Sequence, residues 1–292
     1  MIPISHKALA ARSRARFPVL LGLLWLALNT AAAPVATNTA LPISEHGLVF
    51  REQLVYMHGA DTAGGVAREF DRLEFRTVAG YGITPKLAVF GMLPHASIDS
   101  RIGSAETSLS GIGDAAVFAR YEVFRRNEPG RSFRVAPFAG LRLPTGKEGE
   151  TGDGSLDVFG GLIVTVASTD WELDSQLRYD ANREADGFER GDMLTLESSL
   201  QYRVSPGVVA METRGFLFAV LELSASTAAR NRIGGVKQAE TGGFQLFATP
   251  GLQYATRRWI ADFGVKLPVS QNLRGSPLKT DYVVLSSLRI NF

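Results

Sequence analysis

The chain has 292 residues with 31 Lys and Arg against 29 Asp and Glu, and no cysteine. Without cysteine it has no disulfide, no thiolate metal site and no cysteine nucleophile. The basic surplus belongs to the first 33 residues, where Lys7, Arg12, Arg14 and Arg16 meet no acid; beyond them 27 basic residues face 29 acidic ones, so nothing points to nucleic acid.

At the amino terminus those four cations precede the apolar run Phe17 to Leu28, and Ala31, Ala32, Ala33 and Ala36 offer small residues for cleavage. That order is the order of a secretory signal peptide. A permanent transmembrane helix needs about 20 uninterrupted apolar residues, and this run breaks at Asn29, Thr30 and Pro34. Residues 1–33 therefore read as a leader removed on export, and residues 34–46 as a short periplasmic segment.

From residue 47 onward the chain falls into alternating apolar and polar runs. Strands are expected at 47–58, 69–82, 86–97, 113–125, 132–144, 155–167, 171–180, 192–204, 208–224, 244–255, 259–268 and 281–292. The count is about twelve, within a range of ten to fourteen, and bacterial outer-membrane barrels need an even number. Tight turns are expected at Ile83-Thr84-Pro85, Asn127 to Gly130, Ser168-Thr169-Asp170, Ser205-Pro206-Gly207 and Thr256-Arg257-Arg258. Every second connection is longer: 59–68, 98–112, 145–154, 181–191, 225–243 and 269–280. A soluble β-sandwich has no reason to segregate loops by length in this way. A barrel does, when one rim faces the periplasm and the other the exterior.

One face of the expected strands is apolar: Leu73, Phe75, Ala79 and Tyr81; Val117, Ala119, Tyr121 and Val123; Phe133, Val135, Ala139, Leu141 and Leu143; Trp259, Ala261, Phe263, Val265 and Leu267. No charge interrupts these four sets, as a lipid-facing wall requires. Tyr81, Trp171, Tyr179, Tyr202, Tyr254, Trp259, Tyr282 and Phe292 stand near strand ends, where interfacial girdles form. The opposite face carries Arg72, Glu74 and Arg76; Arg120 and Glu122; Arg134 and Arg142; Glu172, Asp174 and Arg178; Glu197; Glu212 and Arg214; Asp262 and Lys266; and Arg289. These are the candidate lumen-lining residues. Both signs are interleaved, which favours cross-strand ion pairs over a preference for one charge. Phe90, Phe118, Phe138, Phe159 and Phe247 share their parity, as fillers of a narrow barrel or as a path for an apolar or aromatic solute.

The last strand alternates Tyr282, Val284, Leu288, Ile290 and Phe292 with Val283, Leu285, Ser287, Arg289 and Asn291, and ends on the aromatic. It resembles the closing strand of a bacterial outer-membrane barrel, in which the barrel assembly machinery reads a terminal aromatic; Phe292 is the corresponding residue here. Together these features predict an all-β, transmembrane, antiparallel up-and-down barrel in the outer membrane of a Gram-negative cell.

Three motifs carry a family resemblance: Gly111-Ile112-Gly113-Asp114 opening a strand, Gly140-Leu141-Arg142-Leu143-Pro144-Thr145-Gly146-Lys147 closing one, and Tyr81-Gly82-Ile83-Thr84-Pro85-Lys86-Leu87 across a turn. They resemble the meta-pathway of phenol degradation family of outer-membrane barrels, described as transporters. The resemblance implies passage of small, hydrophobic compounds and brings no catalytic or cofactor residue. Physically, the glycines permit a bend into a strand, and Pro144-Thr145-Gly146 ends one. The run Gly111 to Ala116 mimics a dinucleotide fingerprint but precedes a strand, where phosphate binding needs a helix. Leu143-Pro144-Thr145-Gly146 falls one residue short of a sortase-type signal and lies mid-chain.

Other roles are weaker. Glu148, Glu150, Asp153 and Asp157 match no EF-hand spacing and suit a solvated loop. Arg230, Arg232 and Lys237 could touch lipopolysaccharide phosphates. The four histidines, at 6, 46, 58 and 95, form no metal-binding cluster in sequence, and no cofactor is called for. The rival function is an outer-membrane phospholipase-like hydrolase using His95 and Ser97, two apart on one face, though no third residue to orient the imidazole is evident. A second rival is a structural barrel with a plugged lumen. The expected function is a passive channel or transporter for small apolar or aromatic compounds. Its partners are the solute, outer-membrane lipid and lipopolysaccharide.

Overall fold

A computed structural model describes residues 35–148, 150–210 and 213–292. The expected leader, residues 1–33, and the lumen candidate Glu212 lie outside these residues. Among the described residues there is no helix; the chain forms twelve barrel strands. They are β1 (Leu48–Ala63), β2 (Val66–Gly82), β3 (Leu87–Ile102), β4, β5 (Arg131–Leu143), β6 (Asp157–Ser168), β7 (Trp171–Ala181), β8 (Met193–Ser205), β9 (Gly215–Ala228), β10 (Gly243–Thr256), β11 (Trp259–Leu273) and β12 (Tyr282–Asn291). The fourth strand is broken into Ala105–Ile112, Ala115–Tyr121 and Phe124–Glu128. Each strand pairs antiparallel with the next, and β12 pairs with β1 from Val49 opposite Asn291 to His58 opposite Tyr282. The sheet is therefore closed, and a closed sheet leaves no unpaired edge for lipid to meet.

Period two sorts the side chains. Leu73, Phe75 and Tyr81 on β2, and Trp259, Phe263 and Leu267 on β11, are exposed, whereas Glu74, Ile260 and Asp262 between them are buried. An exposed apolar wall around a buried polar interior reverses a soluble barrel and suits hydrocarbon outside. Tyr81, Trp171, Tyr202, Tyr254, Trp259 and Phe292 all fall at the rim that carries the short turns, while Tyr179 and Tyr282 stand at the opposite rim with Tyr56. Tyr56 follows Leu48 on β1 by eight residue steps. At about 2.5 Å of axial rise per tilted residue this gives a band of about 20 Å, close to the hydrocarbon height of such barrels.

The expected loop 59–68 is instead a continuous hairpin, in which β1 and β2 run to a two-residue turn with Gly64 at φ 59° and Gly65 at φ 79°. Both positions need the left-handed region, which two glycines supply without strain. The expected loop 98–112 is likewise strand, β3 turning at Gly103 into Ala105–Ile112. Above the membrane both faces of a hairpin are wet, so alternation fades while pairing persists. At the other rim the strand expected from 208 begins at Gly215, whereas at the long-loop rim β11 continues past 268 to Leu273.

Candidate functional site

The interior is crossed by the chain's own amino-terminal segment. Residues 35–43, expected in the periplasm, lie inside the barrel: Val35, Thr37, Thr39, Ala40 and Ile43 are buried. The correction has a clear physical cause, since a segment with no secondary structure of its own finds its backbone partners on the wall. The Glu222 carboxylate on β9 accepts from the Val35 amide at 2.7 Å and the Ala36 amide at 3.0 Å. The Val35 carbonyl accepts from Arg51 Nη2 at 2.5 Å and Gln53 Nε2 at 2.8 Å, both on β1. Across the lumen, Arg120 donates to the carbonyls of Thr39 and Leu41, the Ala40 amide donates to Thr165 Oγ1 at 2.8 Å, and Asn38 donates to Gln176 at 2.8 Å. Strands β1, β4, β6, β7 and β9 thus hold one strap.

The charged residues of the interior mostly neutralise one another. Glu74 sits between Arg72 and Arg76. Glu122 takes Arg125 and Arg134, each at 2.6 Å, near the turn rim. Arg142 reaches Asp157 at 3.2 Å and Asp180 at 3.0 Å, and Arg178 joins Asp180 at 2.6 Å. Asp262 accepts from Ser287 at 2.6 Å with Arg51 at 3.5 Å. Glu172 and Asp174 are buried against the strap, Glu172 accepting from Thr39 at 3.4 Å and Asp174 from Thr165 and Gln201. Glu197 accepts from Gln176 at 3.2 Å, Lys266 lies 5.2 Å over the Phe247 ring, and Arg289 donates to Asn291 at 3.0 Å. Arg214 departs from expectation: it is exposed in the connection before β9 and lines no wall.

The aromatic residues gather on one side. Phe90 and Phe118 stack with centroids 4.7 Å apart, and Phe118 meets Phe138 at 6.3 Å and Phe159 at 6.1 Å. Arg120 lies 5.0 Å over Phe90 and Arg178 4.0 Å over Phe159, and Ala40 of the strap packs into this group. A second apolar group joins Val35 of the strap to Val55, Phe218, Val220, Ile260, Val283 and Leu285. Sequence reasoning missed the strap because a short, uncharged, mixed segment after a leader has no periodicity to read.

The Gly111–Asp114 and Pro144–Gly146 motifs meet. Asp114 Oδ1 accepts from the Gly146 amide at 3.0 Å and Oδ2 from the Asp153 amide at 2.9 Å, while Thr145 donates to the Gly113 carbonyl at 3.0 Å. The break in β4 at Gly113-Asp114 thus latches the following loop, and a Cβ on Gly152 would lie 2.5 Å from Asp114 Oδ1. The hydrolase candidates fare differently. His95 is exposed on the outer wall opposite Phe75 and Ile112, and among the described residues it makes no hydrogen bond, so nothing orients its imidazole toward Ser97. Against the expectation of scattered histidines, His58 stands with Asp71, at 3.0 Å, and Glu69 just beyond Tyr56.

A closed twelve-strand barrel with an apolar outside, two aromatic belts and a paired polar interior is a membrane-spanning barrel of the outer-membrane type. The sequence matches the family described as "Putative MetA-pathway of phenol degradation" over residues 58–269, most of the chain, and the protein belongs to that family. Its fold is similar to the COG4313 outer membrane channel from Pseudomonas putida F1, with 15% identity and a TM-score of 0.65 over 90% of this chain and 100% of that one. The translocator domain of autotransporter NalP from Neisseria meningitidis is similar at 14% identity and a TM-score of 0.45, over 86% and 91% of the two chains. No curated protein sequence matches significantly.

Proposed function

We propose that the protein is an outer-membrane channel giving passive passage to small apolar or aromatic compounds, and that the amino-terminal strap must shift for them to pass. The observation that carries this reading is the strap itself, held across the lumen between an aromatic wall and a wall of mutually paired charges. Paired charges leave little field to concentrate an ion of either sign. The aromatic group offers apolar surface along the same interior. The short turns then face the periplasm, the long hairpins face lipopolysaccharide, and the leader is removed on export. Phe292 is offered to the assembly machinery.

The same strap supports the second reading, a structural barrel that passes nothing. Purified, refolded protein with and without residues 35–43 separates the two in planar bilayers and in liposome uptake of aromatic compounds. Flux that rises on removing the segment supports the channel. A well-inserted barrel without the segment that passes neither ions nor aromatic solutes overturns it. An unoriented His95 supports a non-enzymatic role, and phospholipid hydrolysis lost in His95→Ala would reverse that.

A further inference from the structure

The outer wall carries one charge out of place. Glu52 lies on β1 between Phe50 and Leu54, opposite Thr77 on β2 and Leu288 on β12. Phe50 and Leu288 are exposed, so Glu52 shares the lipid-facing side. It stands midway between Leu48 and Tyr56, the residues that mark the two rims on this strand. Among the described residues it is the only Asp, Glu, Lys or Arg facing outward between the two belts. Its single hydrogen bond is accepted from Thr77 Oγ1 at 2.8 Å. A carboxylate at that depth costs free energy and calls for a partner.

A depression of about 520 Å³ opens on the same wall across β2 to β5, lined by Ala79, Gly80, Gly91, Val117, Ala119 and Ala139 with the Phe90 and Phe118 rings behind, and Glu52 stands outside this lining. Ala79 is two residues from Thr77 on the outward face, hence diagonal to Glu52. An apolar depression of this size, with one carboxylate diagonal to its margin, offers an amphiphile a seat for its body and an acceptor within reach of its head. We propose that this wall binds a membrane-dissolved amphiphile, its apolar body in the slot and a hydrogen-bond-donating head, hydroxyl or ammonium, on the Glu52 carboxylate. The site lies on the lipid side and is independent of whether the lumen conducts.

The test is saturable uptake of radiolabelled decanol, decylamine and undecane by the full chain refolded in phosphatidylcholine vesicles, above protein-free vesicles. One saturable site is expected, with decanol and decylamine bound about tenfold or more tighter than undecane, the scale of a hydrogen bond to a charged group. Preference for one of the two heads identifies the donor. Glu52→Leu removes a charge from lipid and so retains insertion; it is expected to bring both headed probes to the level of undecane. Glu52→Gln keeps an acceptor and is expected to retain decanol while losing decylamine. Ala79→Trp, filling the slot, lowers all three. Absence of saturable uptake, or an unchanged head-group preference in Glu52→Leu, overturns the proposal. So does unchanged uptake in a Glu52→Leu protein that has lost an oligomeric state, which assigns the residue to a contact between copies.

Discussion

The Val35 amide and the Glu222 carboxylate are 187 positions apart in sequence and 2.7 Å apart in space. That bond pins the start of the described chain to the interior of the ninth strand. A carboxylate accepting two backbone amides in a water-poor interior is worth more than a surface contact.

Replacing Glu222 by Ala therefore leaves the Val35 and Ala36 amides unpaired, a cost of about 1–3 kcal/mol for the lost charged acceptor. We expect a lower urea midpoint for the refolded barrel and a larger single-channel conductance than wild type. Arg120→Ala, which frees the carbonyls of Thr39 and Leu41 at the other end of the strap, should act in the same direction. Lower stability with unchanged conductance would separate the strap from the permeation path.

Asp114→Ala should release the loop that follows Pro144 without opening the barrel. Two amides lose their acceptor, at about 1–3 kcal/mol of local stability, and Lys147 becomes a faster tryptic site. Gly152→Ala should do the same by steric conflict, since its Cβ would meet Asp114 Oδ1 at 2.5 Å. Limited proteolysis of intact vesicles reads both.

The long loops carry a pH response. Glu148, in the loop after β5, is held above the ordinary carboxylate range by its hydrogen bond and charge interaction with Asp186 in the loop after β7. A carboxyl raised on folding contributes stability that is complete below its unfolded pKa and is lost as pH climbs through the folded one. The two loops should accordingly separate as pH rises. Spin labels at Glu150 and Ala185 should report a longer distance at pH 8 than at pH 4, and Glu148→Gln should abolish the difference.

The carboxy-terminal residue is exposed at 73%, yet its backbone closes the barrel: the Phe292 amide donates to the Leu48 carbonyl at 2.8 Å. Phe292→Ser keeps that bond and removes the ring. We expect normal refolding in detergent, with lower insertion into the outer membrane of cells. Equal losses in both settings would make the ring a packing element and overturn the proposal that it is read in assembly.

Much of the barrel was legible because lipid imposes a strict period of two. At Leu73, Phe75 and Tyr81, or at Trp259, Phe263 and Leu267, every second side chain must be apolar, and the eye can count such residues directly. Legibility failed where that constraint stops. Gly64-Gly65 and Gly103 close hairpins that stand in water on both faces, so Asp61 and Arg68, paired at 2.6 Å, looked like loop. Glu52 escaped notice because the first strand, with Glu52, His58 and Thr77 opposite, has the weakest alternation of those in the membrane.

The class of fold, a count of about twelve strands within ten to fourteen, and the apolar and charged faces of most strands could be read from spacing alone, because each follows from local periodicity against an apolar solvent. The partners of the interior come from the folded arrangement alone. Closing twelve strands into a ring brings Val35 to Glu222 and Ala40 to Thr165, and the pairing of β4 with β5 brings Asp114 to Gly146; the separation of these pairs in sequence carries no periodic signal. Ring closure also turns a short uncharged segment, whose amides lack partners of their own, into a strap, since those amides find their acceptors on the surrounding wall.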